Sequence, residues 1–208
     1  MKNKAFIFDW SGTLCDNFHL FKKVVDNIFP ELGRETISKN EIKKNFTLPY
    51  MKFWNKYFPE LSKEKQDILY EKHLQNAGTA DIYPQVSETI KYLHKNNYLL
   101  FILSSDPLST LLPDIKKSGF AKLISKTIGE VHEKQNNLIS LSEEYSLDKN
   151  LSYYVGDTFG DVEAGKIAGF KTIGISWGYQ DKNELAKSKP NYLIDDIVEI
   201  KDIINKTT

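Results

Sequence analysis

Four polar side chains fall where short apolar runs end. Ala5-Phe6-Ile7-Phe8 lead into Asp9, the run Tyr98 to Leu103 leads into Ser104-Ser105-Asp106, and Leu151 to Val155 lead into Gly156-Asp157. Lys134 lies in the loop after a weaker run, Leu123 to Ile128. If these runs are parallel strands of one sheet, the four side chains converge on the crevice where open α/β sheets bind ligands. The chemistry open to such a set is phosphoryl transfer. A carboxylate can attack phosphorus and carry an aspartyl-phosphate. A second carboxylate can hold a hard cation such as Mg2+, which prefers oxygen ligands. A hydroxyl and an ammonium can bind the remaining phosphate oxygens. Asp9 alone reads equally well as a turn cap beside Gly12, so the surrounding elements decide.

Short continuous apolar runs suit strands that are covered on both faces. Between them, helical spacing links Val86, Ile90 and Leu93, then Leu111, Leu112 and Ile115, then Leu138, Leu141 and Tyr145, then Val162 and Ile167 before Gly169. Lys171 to Ile175 and Tyr192 to Ile194 read as further strands, followed by a last helix with Val198, Ile200 and Ile204. Strands alternating with helices predict an α/β fold built on a doubly wound, Rossmann-like parallel sheet.

No strand is expected between Cys15 and about Ala80. Phe18, Phe21, Val25, Ile28 and Phe29 share a helix face that Pro30 stops. Ser38-Lys39-Asn40-Glu41 has the form of a capping box, Tyr50 to Phe58 is aromatic-rich up to Pro59, and Ser62 can cap a helix running through Ile68, Leu69 and Leu74 to Gly78. The expected organisation is a core of residues 1–14 and 81–208, interrupted after the first strand by an all-helical segment, residues 15–80.

Composition narrows the function classes. With 208 residues and 40% hydrophobic content the chain can bury a full core. Its 28 basic and 28 acidic residues balance, so no global basic field points to nucleic acid. The single cysteine, Cys15, excludes an internal disulfide framework and fits a reducing compartment. The apolar run after Lys4 is too short for a signal peptide, and Leu99 to Leu103 is far below the ~20 residues of a membrane span. The expectation is a cytoplasmic protein without membrane or nucleic-acid partners, a monomer or homodimer that acts on a small phosphorylated substrate.

The ordered set Asp9-Trp10-Ser11-Gly12-Thr13, Ser104, Lys134 and Gly156-Asp157-Thr158-Phe159-Gly160-Asp161 resembles the four motifs of the haloacid dehalogenase superfamily of hydrolases. Ile173-Gly174-Ile175-Ser176-Trp177-Gly178-Tyr179 is further similar to the phosphoglycolate phosphatase-like branch, which carries a helical cap after its first strand. The resemblance implies Asp9 as nucleophile and Mg2+ ligand. It implies the backbone carbonyl of Ser11 as another ligand, with Asp157 completing the set and Asp161 supporting it. Ser104, with Ser105 beside it, would bind phosphate oxygens. Lys134 would bridge nucleophile and phosphate, although the prolines that often follow this lysine are missing here; Lys126 is its rival.

One position departs from the resemblance. Two residues after the nucleophile, family phosphatases carry a second Asp that serves as acid and base; here it is Ser11. A serine hydroxyl cannot act so alone near neutral pH, and general acid–base catalysis is worth ~10²–10⁴-fold. Three readings follow: a phosphatase slow on alkyl esters, a relative of phosphonoacetaldehyde hydrolases with a Schiff-base lysine such as Lys52 or Lys56, or a binding or regulatory protein without turnover. His19 could replace the missing acid or be a surface residue of the first helix. Asp106 could approach the site, but before Pro107 it reads as the cap of the next helix. The aromatic cluster Tyr50, Phe53, Trp54, Tyr57 and Phe58 reads as the core of the helical segment or as a wall facing substrate. Trp177 either borders the crevice or covers it.

Overall fold

The structure is a computed structural model that describes residues 2–131 and 133–206. The order of elements is β1 (Ala5–Phe8), α1 (Phe18–Glu31), α2 (Lys39–Asn45), α3 (Met51–Tyr57), α4 (Lys63–Leu74), α5 (Val86–Lys95), β2 (Leu99–Leu103), α6 (Leu108–Lys117), β3 (Lys126–Ile128), α7 (Lys134–Glu144), β4 (Tyr153–Gly156), α8 (Phe159–Ile167), β5 (Lys171–Ile175), α9 (Lys182–Ala186), β6 (Tyr192–Ile194) and α10 (Glu199–Asn205). The strands form one parallel sheet in the order β3-β2-β1-β4-β5-β6. This is the expected doubly wound α/β fold. The order reverses on either side of β1, and β1 pairs β2 through Phe8–Ile102 and β4 through Phe8–Val155.

Both faces of the sheet are covered. Phe6, Phe8, Leu100, Ile102, Tyr153 and Val155 pack on one side with α5, α6 and α10. Ala5, Ile7, Phe101, Leu103 and Tyr154 pack on the other with α7 and α8. In β1, β2 and β4 alternate residues serve opposite layers, and those that face them are apolar or aromatic because neither layer meets water.

Helices α1–α4 form a separate apolar cluster around Phe21, Val24, Val25, Phe29, Phe53, Trp54 and Phe58. Ser38 and Ser62 cap α2 and α4 by accepting from the N–H of Glu41 and Lys65, as expected. α1 runs through Pro30 to Glu31 instead of stopping before it. Ile68, Leu112 and Ile167, apolar positions that spacing places on these helices, are exposed by 59%, 51% and 66%. β3 is shorter than the run Leu123 to Ile128, because Ala121–Leu123 closes into a 3₁₀ turn first. Among the described residues no helix is long and apolar enough to cross a membrane.

Candidate active site

Asp9 stands one residue beyond β1. Its N–H donates to the Val155 carbonyl at 2.9 Å, so the pairing with β4 continues past the strand and delivers the side chain at the C-terminal edge of the sheet. Lys134 Nζ lies 2.7 Å from Asp9 Oδ1 and 2.7 Å from Asp161 Oδ1, and all three residues are buried. Lys134 opens α7 and is not a loop residue. An ammonium at a helix N-terminus is electrostatically unfavourable, and here two carboxylates outweigh the helix.

Asp161 sits in the first turn of α8. There it forms a capping box with Thr158, a carboxylate placed at the positive end of a helix. Its oxygens accept from Lys134 Nζ, the Tyr154 hydroxyl at 2.8 Å, and the Thr158 N–H and hydroxyl at 3.2 and 2.5 Å. These donors fill both oxygens, so Asp161 holds Lys134 in place. Asp157 is wrapped by backbone: Tyr179 N–H donates to Oδ2 at 2.5 Å. A side chain on Gly12, at φ +75, would strike the Asp157 carboxylate, and one on Gly156 would strike Asp161. Glycine is what lets the backbone come this close.

One oxygen from each of Asp9, Asp157 and Asp161 fits within 4.8 Å of the others. Three carboxylates against one ammonium leave two negative charges in excess when all are ionised. Burial, opposed by Lys134 and reinforced by Asp161 and Asp106, pushes the Asp9 carboxyl up to about 7. Burial and the charges of Asp9 and Asp161 push Asp157 well above the carboxylate range. Burial alone would lower Lys134, but Asp161 and Asp9 reverse this and hold its ammonium above the ordinary value. A divalent cation between Asp9 and Asp157 would relieve this excess, and an all-oxygen donor set suits Mg2+.

Ser11 is the second centre of the site. Its hydroxyl donates to Asp106 Oδ2 at 2.5 Å and accepts from Asn17 Nδ2 at 2.7 Å. Asp106 therefore does not cap α6, which starts without a side-chain cap; it turns to the site. Ser104 is buried and its oxygen accepts from the Asp106 N–H at 3.1 Å. Ser105 donates its hydroxyl to the Val131 carbonyl at 2.8 Å. Asn17 and Tyr179 were not anticipated. The Tyr179 hydroxyl donates to Asn17 Oδ1 at 3.1 Å, and its ring packs on Phe18, Phe21 and Phe46.

The remaining candidates separate. Lys126 pairs with Glu144 at 2.7 Å and takes no part in the cluster. Lys52 is exposed, and Lys56 donates to Asn45. The lysine of the helical segment that does reach the sheet portion is Lys43, which donates to the Trp177 carbonyl at 3.3 Å. Burial lowers its ammonium while Asp157 opposes the shift. His19 is exposed. Burial pushes the Cys15 thiol up to about 12, which leaves it unreactive. Phe53, Trp54 and Phe58 are core. Trp177 donates to the Thr13 carbonyl at 3.3 Å and packs on Tyr83, so it covers the turn after Asp9.

The family model of haloacid dehalogenase-like hydrolases matches residues 6–175, and the chain belongs to that family. A phosphoglycolate phosphatase of Vibrio vulnificus is 29% identical over 157 residues, covering 70% of this chain and 68% of the relative. The pyrophosphatase PpaX of Oceanobacillus iheyensis is 25% identical over 98% of both chains. A haloacid dehalogenase-like hydrolase structure from Streptococcus pneumoniae superposes with a TM-score of 0.81 at 20% identity, covering 97% of this chain and 98% of that one; it shares the fold.

Proposed function

We propose that this member of the haloacid dehalogenase-like hydrolases cleaves a small phosphorylated metabolite, with Mg2+ as cofactor and Asp9 as nucleophile. The buried cluster of Asp9, Asp157, Asp161 and Lys134 carries the reading: a polar constellation this costly to bury is retained for chemistry. The phosphatase and pyrophosphatase names of its relatives agree with it. Asp9 and Asp157, with the Ser11 carbonyl, would hold the cation, which when bound balances the carboxylates and the charge of the phosphate. Lys134, fixed by Asp161, orients Asp9 and meets a phosphate oxygen, and Ser104 binds another. Asp9 attacks phosphorus, the leaving oxygen departs, and water then frees Asp9 from the aspartyl-phosphate. The helices α1–α4 act as a cap that excludes water and selects the substrate, with Lys43 and Tyr179 where the two portions meet.

The Schiff-base alternative has less support, since Lys52 and Lys56 are both exposed rather than held in a desolvated pocket. The test is phosphate release from a panel of phosphate esters, acyl phosphates and pyrophosphate with Mg2+. Wild type should turn over at least one class, and Asp9→Asn should lose on the order of 10⁶-fold, the scale of removing a nucleophile. Full activity in a folded Asp9→Asn protein would sink the covalent route.

A further inference from the structure

Resting on this reading, we propose that Asp106 is the proton-transfer group of the reaction and that Ser11 relays the proton between it and the leaving oxygen. The contact behind this is the 2.5 Å hydrogen bond from Ser11 Oγ to Asp106 Oδ2, the short distance of a hydroxyl on a carboxylate.

The bond is built into its surroundings. Asn17 Oδ1 accepts from the Gly12 N–H and the Tyr179 hydroxyl, both at 3.1 Å, so its amide nitrogen must face Ser11. That nitrogen donates to Ser11 Oγ at 2.7 Å, which leaves the Ser11 proton pointed at Asp106. Asp106 is pinned in turn. Its N–H donates to Ser104 Oγ at 3.1 Å, and its carbonyl accepts from the Glu130 N–H at 2.9 Å. Among the described residues it has no cationic partner and caps no helix. Its charge also reaches Asp9, Tyr70 of α4 and Tyr179. Through Asn17, which precedes α1, and Tyr179, whose ring packs on Phe18 and Phe21, the Ser11–Asp106 pair stands beside the helical segment, with Ser11 two residues from the nucleophile.

A serine alone is too weak an acid for this task, but a relay leaves it neutral. In the first half-reaction Asp9 forms a bond to phosphorus and the bond from phosphorus to the leaving oxygen breaks. That oxygen takes the Ser11 proton as Ser11 Oγ takes one from the Asp106 carboxylic acid, and Asp106 ends as a carboxylate. In the second, water bonds to phosphorus and the bond to Asp9 breaks. The water proton passes to Ser11, the Ser11 proton passes to Asp106, and Asp9 and Asp106 regain their starting states. The hydrogen bond seen, from hydroxyl to carboxylate, is the arrangement the second half-reaction starts from.

Asp106→Asn keeps the shape of the side chain and both backbone bonds. For this variant kcat/KM is measured with glycerol 3-phosphate and with acetyl phosphate, alongside wild type and Asp9→Asn. An alkoxide needs a proton to leave and an acetate does not. Glycerol 3-phosphate hydrolysis should therefore fall by about 10²–10⁴-fold, the usual worth of a general acid, and acetyl phosphate hydrolysis far less. The slowed second half-reaction should leave a phosphoryl group on Asp9, seen as added mass after acid quench with acetyl phosphate. Ser11→Asp in the Asp106→Asn background should restore ester hydrolysis. Equal losses on both substrates, with no phosphoenzyme, in a variant of native circular dichroism would overturn the proposal. If instead wild type itself shows no Asp9-dependent turnover of either substrate, the relay falls, whereas the phosphatase reading falls only if pyrophosphate and the rest of the panel are silent too.

Discussion

Phe53, Trp54 and Phe58 in the helical segment and Asp9, Asp157 and Asp161 around the strand ends are buried alike, each exposing 5% or less of its surface. The first group is neutral and held by ring packing. Phe53 meets Trp54 at 5.3 Å between centroids and Phe29 meets Phe58 at 5.0 Å, both edge to face. The second group is ionisable, and when it is ionised its attraction to Lys134 does not offset the repulsion among three carboxylates. Burial therefore stabilises one region and destabilises the other. The lesson is that the helical segment is built for stability, whereas the strand ends carry a cost that a bound cation would relieve.

The largest effect on stability is expected in the aromatic region. Trp54→Ala removes a fully buried ring and should cost about 3–5 kcal/mol, read from urea unfolding, while Mg2+ affinity of the folded protein stays the same. A loss under 1 kcal/mol would mean that the helical core is not what holds this segment.

A smaller effect of opposite sign is expected at the strand ends. Asp157→Asn removes a carboxylate that burial and Asp9 hold well above its ordinary range. In chelator it should gain stability, because the neutral amide escapes the cost of burying this charge, and calorimetry should show its Mg2+ binding sharply weakened. Lost stability together with unchanged Mg2+ binding would erase the contrast between the regions. The smallest effect belongs to exposed Lys56: Lys56→Ala should shift stability by about 0.5 kcal/mol or less and leave turnover intact. A large drop in turnover would reopen the Schiff-base route.

The sequence made much of this site legible, for physical reasons. Asp9 and Asp157 end apolar runs, and a parallel sheet places both at one edge. The structure brings Lys134 and Asp161 to the same cluster. Asp106 was harder to read, because Asp before Pro has the same form as a helix cap, and only the fold shows that the side chain turns to Ser11 instead. Asn17 precedes α1 and looks like its cap, yet its amide serves Gly12 and Ser11. The exposure of Ile68 and Leu112 was hidden for another reason. Spacing defines a helix face, but the width of the stripe that is covered depends on what packs against it.

When ionised, the strand-end cluster is short of a positive charge. The most direct test of that shortage is stability against pH, in chelator and in Mg2+, as the difference between wild type and Asp9→Asn. Asp9 moves from an ordinary 3.8 to about 7 on folding. The native state then binds more protons than the unfolded chain between those values, so stability in chelator falls as pH rises through them. The decline attributable to Asp9 should approach about 1.4 kcal/mol per pH unit. Mg2+ should flatten it, because the cation competes with the proton for the same oxygens. Stability that rises over this window in chelator, or a slope that Mg2+ leaves untouched, would contradict the account.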